Sequence, residues 1–223
     1  MKKIKACIFD LDGTLLDTPR GIAYHINEVF TSEGLGTISV DLARALMGQG
    51  AYDLITMSLS HVGVCDRAEI DRIFQKYIAQ YNSAPDMLVE VYDGVRELID
   101  ELRAMGIKLA VLSNKQHAAT VALVKKYFGD SFDMVLGGRD GIALKPDPES
   151  AYAIYEHFGV TGDECAYVGD SEPDVHMAQN AKMGLPIFVL WGLRSREQLE
   201  SIGAECFVSE AREISELIKK HNN

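Results

Sequence analysis

Six short apolar runs, each cut off by Gly, Asp or Ser, set the rhythm of the sequence. They lie at 4–9 (Ile-Lys-Ala-Cys-Ile-Phe), 107–112 (Ile-Lys-Leu-Ala-Val-Leu), 133–137, 165–168, 186–191 and, more weakly, 205–208. Runs this short, without polar alternation, suit strands buried on both faces of a parallel sheet. Helical spacing fills the intervals. Val95, Leu98, Ile99 and Leu102 recur at i, i+3, i+4 and i+7, and helices are also expected at 117–128, 148–158, 173–183, 195–202 and 211–220. Strand and helix in repeated alternation predict an α/β fold with a doubly wound, mainly parallel sheet, a Rossmann-like core.

Residues 17–86 break this rhythm. Ile22, Ile26, Val29 and Phe30 share one helical face, as do Ile70, Ile73, Phe74, Tyr77, Ile78 and Tyr81. Asp66 and Glu69 form a capping pair ahead of the second helix. The core is therefore expected over 1–16 and 87–223, with a helical insert over 17–86 that returns near Pro85. A chain of 223 residues suits one core plus a smaller unit.

Charge narrows the partners. The 22 Lys and Arg against 33 Asp and Glu give a net charge of −11, so neither nucleic acid nor an anionic membrane is an expected general partner. No apolar run is long enough to span a bilayer. The apolar stretch after the basic start Met1-Lys-Lys-Ile-Lys5 stops at Asp10, too early for a signal sequence. Cys7, Cys65, Cys165 and Cys206 are scattered and read as reduced thiols of a cytoplasmic protein.

Four motifs carry the chemistry, and each follows an apolar run. Asp10-Leu11-Asp12-Gly13-Thr14 places two aspartates at a strand end, with Gly13 permitting a turn. Gly169-Asp170-Ser171-Glu172-Pro173-Asp174 sets Asp170 at another strand end and Asp174 one turn into the next helix. Ser113-Asn114-Lys115 and Lys145-Pro146-Asp147-Pro148 end the list. Taken singly, each fits a helix cap, a turn or a solvated lysine. A parallel sheet brings all four to one edge, where ligands of such sheets bind. Two unit charges 4 Å apart repel by about 4 kcal/mol at an effective dielectric of about 20, so Asp10, Asp12, Asp170 and Asp174 together call for a cation. Oxygen-only ligation points to Mg²⁺. A cation, a lysine, Ser113 and loop amides together suit a phosphoryl group.

The stretches Phe9-Asp-Leu-Asp-Gly-Thr-Leu-Leu-Asp-Thr18 and Val168-Gly-Asp-Ser-Glu-Pro-Asp174, in this order, resemble the haloacid dehalogenase superfamily of phosphohydrolases. The tail Trp191-Gly-Leu-Arg-Ser-Arg-Glu-Gln-Leu-Glu-Ser-Ile-Gly-Ala-Glu205 resembles its phosphoglycolate phosphatase-like branch, which carries a helical cap after the first strand. The resemblance implies that Asp10 is the nucleophile and that Asp12 protonates the leaving oxygen and then activates water. It implies that Ser113 holds the phosphoryl group, with Gly13, Thr14 and Asn114 beside it, and that Lys145 neutralises charge and orients Asp10. Mg²⁺ would be held by Asp10, Asp170 and the carbonyl of Asp12. Asp174 would serve the metal or steady Lys145. Arg20, Arg44 and Gln49 of the cap are the expected contacts to the leaving group. Lys182 stands where the family commonly has Gly, with no expected cost at the catalytic positions.

The expected substrate is a small phosphorylated metabolite, and the expected assembly is a monomer or homodimer. A phosphosugar mutase, an inorganic pyrophosphatase and a non-catalytic binding module are the alternatives. Intact Asp10, Asp12 and Asp170 speak against the binding module.

Overall fold

In the computed structural model, which describes residues 2–223, the chain runs through eight strands and ten α-helices. Met1, the first residue of the expected 1–16 core segment, lies outside them. The order is β1 (Ala6–Phe9), β2 (Leu16–Asp17), α1 (Pro19–Ser32), α2 (Val40–Leu46), α3 (Ala51–His61), α4 (Arg67–Ser83), β3 (Glu90–Val91) and α5 (Val95–Ala104). It continues with β4 (Lys108–Gln116), α6 (His117–Phe128), β5 (Met134–Gly138), α7 (Glu149–Phe158), β6 (Cys165–Gly169) and α8 (Glu172–Asn180). The last elements are β7 (Leu185–Val189), α9 (Arg196–Glu200), β8 (Phe207–Val208) and α10 (Arg212–Asn222).

The six expected runs form one parallel sheet in the order β5-β4-β1-β6-β7-β8. Why the runs are apolar without alternation is visible in the packing. Cys7, Phe9, Leu109, Val111, Ala166 and Val168 join one buried cluster with α5, α6 and α10. Ala6, Ile8, Ala110, Leu112, Cys165 and Tyr167 join another with α7 and α8. Successive side chains point to opposite faces, and helices cover both. β1 lies between β4 and β6, where the chain's winding reverses, so its carboxyl end opens on the crevice at the switch point.

α1 to α4 carry their own buried cluster. Ile22, Ile26, Val29 and Phe30 meet Ile55 and Leu59 of α3 and Ile70, Ile73, Tyr77 and Tyr81 of α4, with Ala119 and Leu193 packed against them from elsewhere in the chain. Asp66 caps α4 by accepting from the Glu69 N–H at 3.0 Å. The reciprocal bond is not made, because the Glu69 side chain turns toward Arg72, 3.9 Å away. A two-stranded antiparallel ribbon, Leu16↔Val91 and Asp17↔Glu90, ties the outgoing and returning linkers together. Strands of two residues leave no periodic trace in a sequence.

Lys182 acquires a physical cost. The N–H of Met183 donates to Ala178 O at 2.9 Å, closing α8 in a Schellman-type turn, and Lys182 sits in its left-handed position with φ 54°. Glycine suits that conformation because it has no Cβ. Lys182→Gly is therefore expected to raise stability by about 0.5–1 kcal/mol, read from urea unfolding midpoints. An unchanged or lowered midpoint would contradict this. The four cysteines are free. Among the described residues no helix is long and apolar enough to cross a membrane.

Candidate active site

The site begins where β1 stops. The Asp10 N–H extends the ladder to Val168 O at 2.9 Å, and the N–H groups of Leu15 and Leu16 then both donate to Leu11 O at 3.0 Å. This turn brings the chain under Asp170. Gly13 has φ 86°, and a Cβ there would lie 2.2 Å from Asp170 Oδ2. Glycine is thus required twice, by conformation and by space. The Thr14 hydroxyl donates to Asp170 Oδ1 at 2.7 Å, and the Leu193 N–H donates to Oδ2 at 2.7 Å.

Lys145 is buried among carboxylates. Its Nζ lies 2.8 Å from Asp10 Oδ1 and 2.8 Å from Asp174 Oδ1, and donates to the Tyr167 hydroxyl at 3.2 Å. Burial opposes its charge, but Asp10 and Asp174 outweigh burial and hold the ammonium above its ordinary value. Asp174 is crowded with donors. Oδ1 accepts from Lys145 and from Tyr167 Oη at 2.6 Å, while Oδ2 accepts from the Ser171 hydroxyl at 2.6 Å and the Asp170 and Ser171 N–H groups. Burial raises its carboxyl, and Lys145, Ser171 and Tyr167 more than offset this, leaving it below the ordinary value.

Asp10 and Asp170 have less help. Burial raises Asp10 to about 7 against the pull of Lys145, and pushes Asp170 well up, with Asp174 and Asp10 adding to it. The Asp10 contact to Lys145 is an ion pair without hydrogen-bond geometry, so Oδ1 has no hydrogen-bond partner. Three carboxylates face one ammonium, and one oxygen from each of Asp10, Asp170 and Asp174 lies within 4.8 Å of the other two. A buried, oxygen-only acidic triad with two charges in excess fits a hard divalent cation. Asp10 and Asp170 retain unfilled lone pairs, whereas five donors already fill Asp174.

β4 supplies the next group. Its pairing with β5 slips between Leu112 and Gln116, and Ser113, Asn114 and Lys115 occupy the slip. Ser113 is buried, and its oxygen accepts from the Lys115 N–H at 3.3 Å. Asn114 donates to Gly48 O and Lys145 O, both at 3.0 Å, and accepts from the Lys145 N–H at 2.7 Å. Lys115 Nζ bridges both Asp12 oxygens, at 3.0 and 3.1 Å, and lies 4.7 Å from the centroid of the Tyr81 ring.

These groups floor a cavity of about 60 Å³ that α1, α3 and α4 roof with Ile22, Leu54, Tyr77, Ile78 and Tyr81. One water needs about 10–15 Å³ by this measure, so a small ligand is the limit. Asp10, Asp12, Ser113 and Asn114 line it. Several expectations need correction. Arg20, Arg44 and Gln49 do not line it. Arg20 and Gln49 are exposed, and Arg44 reaches instead to Gly192 O at 3.0 Å. The Thr14 hydroxyl is spent on Asp170, and the Asn114 amide on Lys145 and Gly48, so both order the site rather than offer free donors to a phosphate.

Tyr167 and Leu193 also touch these groups and lie outside the four motifs, whereas Ser171 and Lys115 lie inside them without an expected role of their own. A tyrosine inside an apolar run is a usable signal, since a buried hydroxyl needs a partner. The backbone of Leu193 carries no such signal. Arg194 ties the two parts together: it donates to Glu172, to Arg44 O at 3.1 Å and to Met47 O at 2.8 Å.

Residues 7–186 match the haloacid dehalogenase-like hydrolase family. The phosphoglycolate phosphatase of Rhodospirillum rubrum is 33% identical over 208 residues, covering 90% of this chain and 85% of its own. That of Nitrosospira multiformis is 31% identical, covering 97% and 96%. The crystal structure of a candidate phosphoglycolate phosphatase from Lactobacillus delbrueckii subsp. bulgaricus superposes with a TM-score of 0.92 at 32% identity, covering 97% of this chain and 99% of that one.

Proposed function

Since the chain belongs to the haloacid dehalogenase-like hydrolase family, we propose that it hydrolyses a small phosphomonoester, phosphoglycolate or a close relative, through an aspartyl-phosphate on Asp10. The observation that carries this reading is Asp10 itself, at the end of the central strand, beside Lys145 and on the floor of a small cavity. Phosphoryl transfer needs in-line positioning and charge stabilisation more than strong covalent activation. An Asp10 oxygen attacks phosphorus while the ester oxygen leaves with a proton from Asp12. Water then attacks the same phosphorus, giving its proton to Asp12 and regenerating the Asp10 carboxylate. The Ser113 hydroxyl donates to a phosphoryl oxygen, and Lys145, fixed by Asp174 and Tyr167, keeps Asp10 aimed. The acidic pocket of Asp10, Asp170 and the Asp12 carbonyl suits Mg²⁺, which when bound supplies positive charge at the phosphoryl oxygens.

Residues 17–86 serve as a cap that excludes water from the reacting groups. Arg194 holds it shut through the Arg44 and Met47 carbonyls. Arg194→Ala is expected to lower kcat/KM by about 10-fold and to speed proteolysis around the 47–50 loop. Unchanged kcat/KM would remove Arg194 from cap closure. The reading as a whole is tested by phosphate release from a panel of phosphorylated metabolites with Mg²⁺. Small esters should rank first by kcat/KM, and preference for phosphopeptides or for pyrophosphate would contradict it.

A further inference from the structure

Two lysines are buried at this site, and they are not equivalent. Lys145 is committed to Asp10, Asp174 and Tyr167 and does not line the cavity. Lys115 does, and among the described residues it is the one cation that lines it. Its side chain is 7% exposed. Burial opposes its charge, but Asp12, Tyr81 and Tyr77 together outweigh burial and keep the ammonium above its ordinary value. From the cap come Ile22, Leu54, Tyr77, Ile78 and Tyr81, none of them charged.

An anion entering such a space without a partner carries a large desolvation cost. Resting on the phosphatase reading above, we propose that Lys115 is the specificity residue of this site, binding a carboxylate or similar anionic group on the leaving-group side of the substrate in exchange for Asp12. One carboxylate replaces another, so the ammonium stays paired throughout. Asp12, released from its bridge to Nζ, takes up a proton from solvent and can then face the scissile oxygen as its acid. A neutral leaving group offers no such exchange and leaves Asp12 tied to Lys115. Tyr81 places its ring over the same ammonium from α4, so the subsite is complete when the cap and core are together. Lys115 thus links recognition of the leaving group to the freeing of Asp12.

The test compares 2-phosphoglycolate with ethyl phosphate, which has a similar chain and no carboxylate. Wild type is expected to favour phosphoglycolate by about 10²-fold or more in kcat/KM. Lys115→Met should cut that ratio by about 10-fold or more, with most of the phosphoglycolate loss in KM. Lys115→Arg should recover part of the ratio. Near-UV circular dichroism checks the fold, and if Lys115→Met does not fold, Lys115→Gln gives the same comparison. A wild type that accepts both esters equally overturns the proposal, as does a Lys115 variant that slows both by the same factor. Either result leaves the phosphatase reading standing. Failure of wild type to release phosphate from any monoester removes both.

Discussion

Asp10→Asn protein is expected to fold and to release phosphate on the order of 10⁴–10⁶-fold more slowly than wild type. Asparagine keeps the shape of the side chain, but a neutral amide is a poor nucleophile and a weaker ligand for a hard cation. Survival of the fold follows from the charge balance. Asp10, Asp170 and Asp174 face one lysine, and removing one of three buried negative charges relieves repulsion rather than creating it. A well-folded Asp10→Asn protein with wild-type turnover would end the covalent mechanism.

Chelation of divalent cations is expected to abolish turnover, with Mg²⁺ restoring it and Ca²⁺ failing to do so. Ca²⁺ takes more ligands at longer distances than an octahedral Mg²⁺ site provides, which spoils in-line geometry. Metal-free protein should also carry a characteristic pH dependence. Burial raises Asp10 from 3.8 to about 7 in the folded state. Between those values the folded chain holds a proton that the unfolded chain has lost, so stability falls as pH rises through that window. Asp170 is shifted in the same direction by burial. Asp174 is held low, so its contribution is complete above 3.8 and does not change the slope. Wild-type urea midpoints without metal should therefore fall between about pH 4 and pH 7 relative to those of Asp10→Asn protein, which shares the opposing contribution of the burial-lowered His25, and saturating Mg²⁺ should flatten the difference. Metal-free wild type that gains stability over this range relative to Asp10→Asn would show that the triad does not carry uncompensated charge.

The sheet was legible because its strands are buried on both faces, so Ala6–Phe9 and Cys165–Gly169 read as unbroken apolar runs with chemistry at their ends. Asp10, Asp12, Ser113 and Lys145 were legible for the same reason: a polar residue that stops such a run lands on the ligand-binding edge. The cap contacts were not. The resemblance points to Arg20, Arg44 and Gln49, whereas cap residues lining the cavity include Ile22, Leu54, Ile78 and Tyr81, whose periodicity looks like any helix core. Lys115 stands in the Ser113-Asn114-Lys115 motif without a role of its own, because that motif alone reads as a helix cap and the slip in β4 that turns the lysine inward leaves no trace in composition. Lys182 was legible as a departure from the family pattern, but its cost appears only with the left-handed backbone at that position.

On the proposed mechanism, phosphate passes through the Asp10 carboxylate. Wild type mixed with substrate and Mg²⁺, quenched in acid and reduced with borohydride, should carry homoserine in place of aspartate at position 10, found by peptide mass spectrometry. The conversion should vanish without substrate or when Mg²⁺ is chelated. Steady phosphate release with position 10 left as aspartate, or with another aspartate reduced in its place, would rule out Asp10 as the nucleophile.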